Sequence, residues 1–544
     1  MGNFIEFGLR ALIIASLLLV PDFVLRYRIM LNGKSRIKKY GFWVLVIAFP
    51  ISLAGSNILG LPLLLLLFLL SMIWHFSLSY FGDVLRPDSL TLLVKWDHFQ
   101  DVFSVARGEI SKYWKDIAVF MFAASGAIMV AVIEPQSPYG AMAGGVGWLF
   151  VVIIGWRAAT RRRQNADLIV PEMPGVIGGL RALAGAIHWA LTPVRPLPGG
   201  ISYRFDEARD VSIAVIMGES ISASRMSLFE SKLDTTPKLK ALSESEGLVR
   251  LFARTGVSAA VSSNASVAGF LSGSPFPWRT HGYRSLFELA KAQGFRTCYW
   301  SGQTRSPLEV LGGARFVDDV HSFESSPTAF SQRKDWVLVD KLKALGEVKR
   351  QFCFIYPRCN HAPYYGHSLQ PETPLPPGEG NNWLLSNYDM GMREFDKLVV
   401  DLISELEEAS SGPLFVFVMS DHNELFGEDG LKGHNLSGHP IGAFVPFILC
   451  TNQPDHPIVQ TFRSAAFVDA HMVASLVMQL MGVTPEVVPA VNGSSYIGNA
   501  LPFGRAGYMR LKVIDGTSAQ VEHFDRSGVL QGQGIFKFPA WDRS

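Results

Sequence analysis

The chain has 544 residues, 49 Lys and Arg against 47 Asp and Glu, and 48% hydrophobic residues, with a mean hydropathy of +0.21. That balance is too apolar for an ordinary soluble protein of this size, and the excess lies before about residue 160. A net charge of +2 decides nothing about anionic partners, and no stretch resembles a nucleic-acid-binding module.

Five apolar segments come first, at roughly 8–25, 41–57, 59–80, 116–134 and 144–160. Several approach or exceed the ~18 residues that cross a bilayer core as a helix. The Leu-rich run 61–70 reads as lipid-facing rather than as a soluble core. No small-x-small cleavage site follows the first segment, where Leu25-Arg26-Tyr27-Arg28 stands instead, so a retained span is expected rather than a signal peptide. The next loop holds Arg26, Arg28, Lys34, Arg36, Lys38 and Lys39, and Arg161, Arg162 and Arg163 follow the fifth segment. The positive-inside rule puts both clusters in the cytoplasm. Within the long loop 82–115, Trp96, Asp97, His98, Phe99 and Gln100 suit an interfacial helix. The connector 161–202 carries Pro171, Pro174, Pro193, Pro196 and Pro198, which allow only a short helix, at about 178–191, between extended pieces. Three parts are expected: 1–160, helical and membrane-spanning; 161–202, a linker; and 203–544, a separate folded domain.

Beyond residue 203 the pattern changes. Apolar strands near 211–217, 248–253, 296–300, 352–356, 414–419 and 445–450 alternate with helical stretches at 285–293, 335–346 and 387–408. The alternation predicts an α/β domain with a largely parallel, doubly wound sheet. After residue 503, the alternation from Arg510 to Ile514 predicts a terminal hairpin. Cys298, Cys353 and Cys450 fall in buried strands as small apolar residues; Cys359, in a loop, reads as a packing or free thiol.

Four motifs carry chemistry. Phe415 to Val418 run through Met419-Ser420 into Asp421-His422, with Lys432 and His434 further on. A buried strand that empties into a carboxylate and an imidazole is how an open α/β sheet delivers metal ligands at its C-terminal edge, and zinc takes such N and O donors. A second apolar run ends at Gly218-Glu219-Ser220, followed by Arg225-Met226-Ser227-Leu228-Phe229. In a third motif, Ser262-Ser263-Asn264-Ala265-Ser266 precedes an apolar segment, as where a helix opens with free N–H groups. Last, Phe352 to Tyr356 lead into Cys359-Asn360-His361-Ala362-Pro363.

In chain order these pieces resemble the alkaline-phosphatase/sulfatase superfamily, and more closely the membrane phosphoethanolamine transferases. The resemblance covers essentially the whole chain. It implies five spans and a zinc-binding Glu219 in the G-E-[ST] match. It places the nucleophile at Ser263, where the family ordinarily has Thr, with Ala268 replacing the Pro of the S-x-P that follows; Ser262, adjacent, is the alternative. The block Ser420 to His434 matches S-D-H-G-E-x-x-G-E-x-G…H except that Asn423 replaces the first Gly, and His361 stands for the loop histidine. Asn387-Tyr388-Asp389 is like the family's Y-[ND]-N segment. The resemblance thus implies one tight zinc on Glu219, Ser263, Asp421 and His422, with a second zinc possible when substrate is present. His361, His434, Lys432 and Asn387 are implied as substrate contacts. The implied donor is phosphatidylethanolamine, its headgroup held near the zinc by the loop 82–115, and the acceptor an envelope glycan, lipid A or its core. The implied setting is the bacterial inner membrane with a periplasmic catalytic domain, which opposes the positive-inside reading. The family's multiple disulfides are not suggested by these four cysteines. Phosphoglycerol transfer or phosphodiester hydrolysis on the same fold stays open, as does an inactive membrane scaffold. A formylglycine sulfatase is disfavoured because [CS]-x-P-x-R is absent around 262–268.

Overall fold

A computed structural model describes most of residues 13–25, then 60–77, 114–132, 175–191 and, with gaps of which 365–382 is the longest, 201–537. The expected spans 41–57 and 144–160, and nearly all of the loop 82–115, lie outside the described residues. Two compact units are present: Met1–Val194 with Gly427–Lys432, and Arg195–Phe426 with Gly433–Ser544.

In the first unit, residues 13–25 are helical where described, and helices Gly60–Phe76, Trp114–Val132 and Gly175–Leu191 follow. The leucine run does not face one environment. Leu64, Leu67 and Phe68 are buried against Leu18, Phe120 and Ala123, and Leu70 is buried too, whereas Leu65 and Leu69 are each 47% exposed. A helix turns through 100° per residue, so an unbroken apolar run must present both a packed stripe and an outward one. The connector helix begins at Gly175, three residues earlier than the sequence suggested. Its glycines seat it: a Cβ added at Gly178 would strike the Trp74 ring at 2.5 Å, and one at Gly179 would meet Leu70 at 2.7 Å. Asp22 accepts the Gly175 N–H at 2.8 Å, satisfying a donor that the helix start leaves free. Among the described residues no helix is long and apolar enough to cross a membrane.

The second unit is built on an eight-stranded sheet. Its strands in chain order are β1 (Ser212–Gly218), β2 (Arg250–Val257), β3 (Arg296–Ser301), β4 (Asp319–Ser322), β5 (Gln351–Tyr356), β6 (Leu414–Ser420), β7 (Phe444–Thr451) and β8 (Val468–Asp469). Their spatial order is β8-β2-β7-β6-β1-β5-β3-β4. β7 pairs antiparallel with both β2 and β6, while the remaining pairs are parallel. The doubly wound reading therefore holds with one reversed strand. β1, β5, β6 and β7 are buried along their whole length. Burial on both faces is why they read as continuous apolar runs rather than as alternating ones. Helices Ser263–Ser272, Leu286–Ala292 and Ala470–Leu480 cover one face through Phe270, Phe287 and Leu476, which pack with Met217, Phe354 and Phe417.

The C-terminal alternation forms more than a hairpin. Strands Ser494–Gly498, Tyr508–Asp515, Ser518–Phe524 and Leu530–Lys537 make a four-stranded antiparallel sheet. Its inward residues Ile497, Met509, Leu511 and Val521 pack against Val261 and Phe444. All four cysteines are buried and unpaired, Cys359 included.

Candidate metal and nucleophile site

β1 and β6 are central parallel neighbours with Gly218 beside Ser420 in register, so Glu219 and Asp421 leave the same edge of the sheet side by side. Gly218 has no room for a side chain, because a Cβ there would meet Ile221 at 2.5 Å and Phe395 at 2.8 Å. The chain then turns sharply, with Ser220 at φ 58, a left-handed conformation that costs a non-glycine residue roughly 1–3 kcal/mol. Three contacts hold it. The Ser220 N–H donates to Asp421 Oδ1 at 3.0 Å, its hydroxyl to Glu219 Oε1 at 2.9 Å, and its carbonyl accepts the Tyr388 hydroxyl at 2.5 Å.

Glu219, Asp421 and His422 are each 0% exposed, and one donor atom from each lies within 4.8 Å of the others. His422 Nε2 stands 3.4 Å from Glu219 Oε1 and 3.4 Å from Asp421 Oδ2. Ser263, the first residue of its helix, completes the group. Its Oγ lies 3.0 Å from His422 Nε2 and 3.3 Å from each Glu219 oxygen. Ser262 is the residue before that helix, with extended backbone. The geometry therefore brings together the four residues the sequence pointed to, with Ser263 rather than Ser262 facing the carboxylates.

Protonation follows from burial. Burial and the neighbouring Glu219 charge push the Asp421 carboxyl well up. Burial opposes ionisation of Glu219 too, but the imidazoles of His422, His361 and His434 and the Tyr356 hydroxyl outweigh it and hold that carboxyl below its usual range. Burial, then His434, push His422 down to about 4. A neutral His422 whose Nδ1 faces the Asn423 carbonyl at 3.1 Å must carry its proton on Nδ1, which leaves the Nε2 lone pair toward Ser263. His434 stacks on His422 with ring centroids 4.4 Å apart. Burial works against its charge, but Glu424, 2.8 Å from Nδ1, raises it to about 9.

Two buried carboxylates abut an imidazole lone pair and a hydroxyl, and among the described residues no lysine or arginine pairs with either carboxylate. Without a cation Asp421 keeps its proton beside the ionised Glu219; ionising both needs a cation, and the mixed N and O donor set suits zinc. The residues fit the metal that the sequence implied.

The other expected contacts divide. His361 is buried, its Nδ1 donating to the Ala362 carbonyl at 2.7 Å, and it lies near enough to bear on Glu219. Asn387 is half-buried in the helix Trp383–Ala409, and among the described residues the contacts at the turn are made by its neighbours. Tyr388 also accepts the Ser222 N–H at 2.9 Å, and Asp389 takes both Arg225 Nε at 2.7 Å and Nη2 at 2.6 Å. Lys432 falls in the short segment that groups with the N-terminal unit. Asn423, in the place of a family glycine, is buried with its polar atoms satisfied: its amide donates to the Ile441 carbonyl at 3.0 Å and its Oδ1 accepts the Glu424 N–H at 2.8 Å. Sequence reasoning missed Tyr356 and Gln303. Tyr356 ends β5 as Gly218 and Ser420 end β1 and β6, and that position was the available signal.

The sulfatase family profile matches residues 212–483, half of the chain. The chain belongs to the sulfatase family, within the alkaline-phosphatase/sulfatase superfamily. Similar solved structures include the integral membrane protein lipooligosaccharide phosphoethanolamine transferase A from Neisseria meningitidis. It is 14% identical, with 88% of this chain and 97% of that chain covered at a TM-score of 0.55, so the likeness is one of fold over nearly the full length. Others are the C-terminal periplasmic domain of EcEptC from Escherichia coli in complex with Zn (18% identical, 56% of this chain and 94% of that chain, TM-score 0.46) and the lipoteichoic acid synthase LtaP from Listeria monocytogenes (14%, 61% and 90%, TM-score 0.39). No curated protein sequence matches the chain.

Proposed function

We propose that the chain is a membrane-anchored, zinc-dependent phosphoethanolamine transferase that moves the headgroup of phosphatidylethanolamine to an envelope glycan or glycolipid through a phosphorylated Ser263. One observation carries this reading: the Ser263 hydroxyl stands at a helix start, 3.0 Å from His422 Nε2 and 3.3 Å from both Glu219 oxygens. A structural serine has no need of that surrounding.

Glu219, Asp421, His422 and Ser263 would hold the zinc, which when bound lowers the pKa of a hydroxyl and offsets charge at phosphorus. Ser263 Oγ attacks the phosphodiester phosphorus, and the bond from phosphorus to the diacylglycerol oxygen breaks. N–H groups at the start of Ser263–Ser272 would offer donors to the phosphoryl oxygens. His434, kept protonated by Glu424, and His361 stabilise those oxygens. An acceptor hydroxyl or phosphate oxygen then displaces Ser263 Oγ and carries the group away.

The anchor is proposed from the five apolar segments and from the fold shared with an integral membrane protein over 88% of the chain. The catalytic domain, 203–544, is placed on the extracytoplasmic side of the inner membrane, where the headgroup is reached without extracting the lipid. The test is transfer from headgroup-labelled phosphatidylethanolamine to envelope glycolipid by the full chain. Ser263→Ala is expected to abolish transfer and Ser262→Ala to retain most of it. The reverse pattern would move the nucleophile by one residue, and label delivered only to water would mark a hydrolase. Substituting phosphatidylglycerol as donor separates phosphoglycerol transfer by the headgroup found on the acceptor.

A further inference from the structure

We infer that Tyr356 and Gln303 are positioning residues that clamp the outer oxygen of Glu219 and so select which carboxylate oxygens face the metal. The inference rests on the metal reading above and deepens it.

The two Glu219 oxygens have different surroundings. Oε1 is the one beside His422 Nε2, at 3.4 Å. Oε2 receives the Tyr356 hydroxyl at 2.5 Å and the Gln303 amide at 2.6 Å. These are the shortest contacts in the cluster, and both fall on one atom. Asp421 is held differently, by backbone donors on one oxygen and by Tyr356 on the other. Its Oδ1 accepts the N–H groups of Ser220 at 3.0 Å and His422 at 2.8 Å. Its Oδ2 is near His422 Nε2 at 3.4 Å and takes the Tyr356 hydroxyl at 2.8 Å. Glu219 Oε1, beside the imidazole, has the longer contacts, from the Ser220 hydroxyl at 2.9 Å and Ser263 at 3.3 Å, so the two shortest donors of this carboxylate both fall on Oε2.

A phenol has one proton and cannot donate to Glu219 and Asp421 at once. Gln303 supplies the second donor, so Glu219 Oε2 stays held while the Tyr356 hydroxyl bridges the two acids. The bridge is rigid because Tyr356 is 1% exposed at the end of β5, its ring packed beside Phe354 at a centroid distance of 6.4 Å. Gln303 is half-buried and lies in the loop after β3. A bidentate Glu219 would leave fewer positions for Ser263 and a phosphoryl oxygen; one tied oxygen keeps the coordination open.

The test uses the full chain with zinc as the probe, titrated against a chromophoric chelator in wild type, Tyr356→Phe, Gln303→Leu and the double variant. Loss of an outer partner of a metal ligand weakens metal binding by roughly 10- to 100-fold. Tyr356→Phe is expected to raise the zinc dissociation constant into that range, and Gln303→Leu by a smaller factor. Because both act on Glu219 Oε2, the double variant should weaken binding by less than the product of the single factors. Tyr356→Phe removes only an oxygen, and Gln303 is partly exposed, so both variants should fold. A thermal midpoint that falls while zinc affinity stays within about twofold of wild type would overturn the clamp and make Tyr356 a packing residue. Independent, multiplicative effects would overturn the shared target. Wild type that binds no zinc would overturn the metal reading itself and the clamp with it.

Discussion

Asp335→Asn offers a test whose size and direction follow from burial. Asp335 is 5% exposed, and its Oδ2 accepts the Arg358 N–H at 2.8 Å. A Cβ at Gly302 would fall 2.0 Å from Oδ1, so the same carboxyl seats the loop that carries Gln303 and the one that leads to His361. Burial pushes its pKa up to about 7, against the amides and charge of Arg358. The unfolded chain ionises near 3.9. Between about pH 4 and pH 7 the folded chain therefore holds a proton that the unfolded chain has lost. Where the folded state binds more protons, stability falls as pH rises. A shift of roughly three units corresponds to about 4 kcal/mol, absent below about pH 4 and fully expressed as destabilisation above about pH 7. Asn keeps an acceptor for the Arg358 amide and cannot ionise. Urea unfolding of both proteins across this range should show near-equal stability at about pH 4 and an advantage to Asp335→Asn approaching about 4 kcal/mol at about pH 8. Parallel stability profiles would refute the claim that the buried carboxyl titrates in this window.

Asp421→Ala and His422→Ala are each expected to abolish the proposed zinc binding, measured by metal analysis of the purified protein; full occupancy in either would remove that residue from the proposed ligand set. Asp389→Ala takes away the carboxylate that neutralises a largely buried Arg225 and should cost about 3 kcal/mol by urea unfolding. Its cycle with Arg225→Ala should show a coupling of roughly 1–3 kcal/mol, and additive effects would mean that the pair contributes nothing beyond its parts. For orientation, single cysteines at Ser35, Ser89 and Ser544 should all react in intact cells with a thiol reagent excluded by the inner membrane. Protection of Ser544→Cys would place the catalytic half in the cytoplasm.

What the sequence revealed depended on how locally each feature is encoded. β5, β6 and β7 were legible because strands buried on both faces are apolar without interruption, and their ends fell within two residues of those predicted. The pairs β3–β4 and β2–β8 include strands of four and two residues, too short to show any period. The reversal of β7 was not legible either, since a fully buried strand has the same composition in either direction. The sequence pointed to Glu219, Ser263, Asp421 and His422, which the fold brings together, because each sits in a compact motif at an element's end. Tyr356 and Gln303 reach Glu219 across sequence separations of 137 and 84 residues, which no local pattern reports. The long helix shows both cases: Asn387-Tyr388-Asp389 marked its place, but only the fold shows that Tyr388 and Asp389, rather than Asn387, hold the turn after Glu219.

The account stands on Ser263 carrying the transferred group, and intact-peptide mass spectrometry reads that directly. The full chain would be incubated with phosphatidylethanolamine vesicles without acceptor, quenched in acid and digested. The account predicts a phosphoethanolamine increment on Ser263 in the wild type and none on any residue of Ser263→Ala. An increment on Ser262, or diacylglycerol release by Ser263→Ala at the wild-type rate, would contradict it.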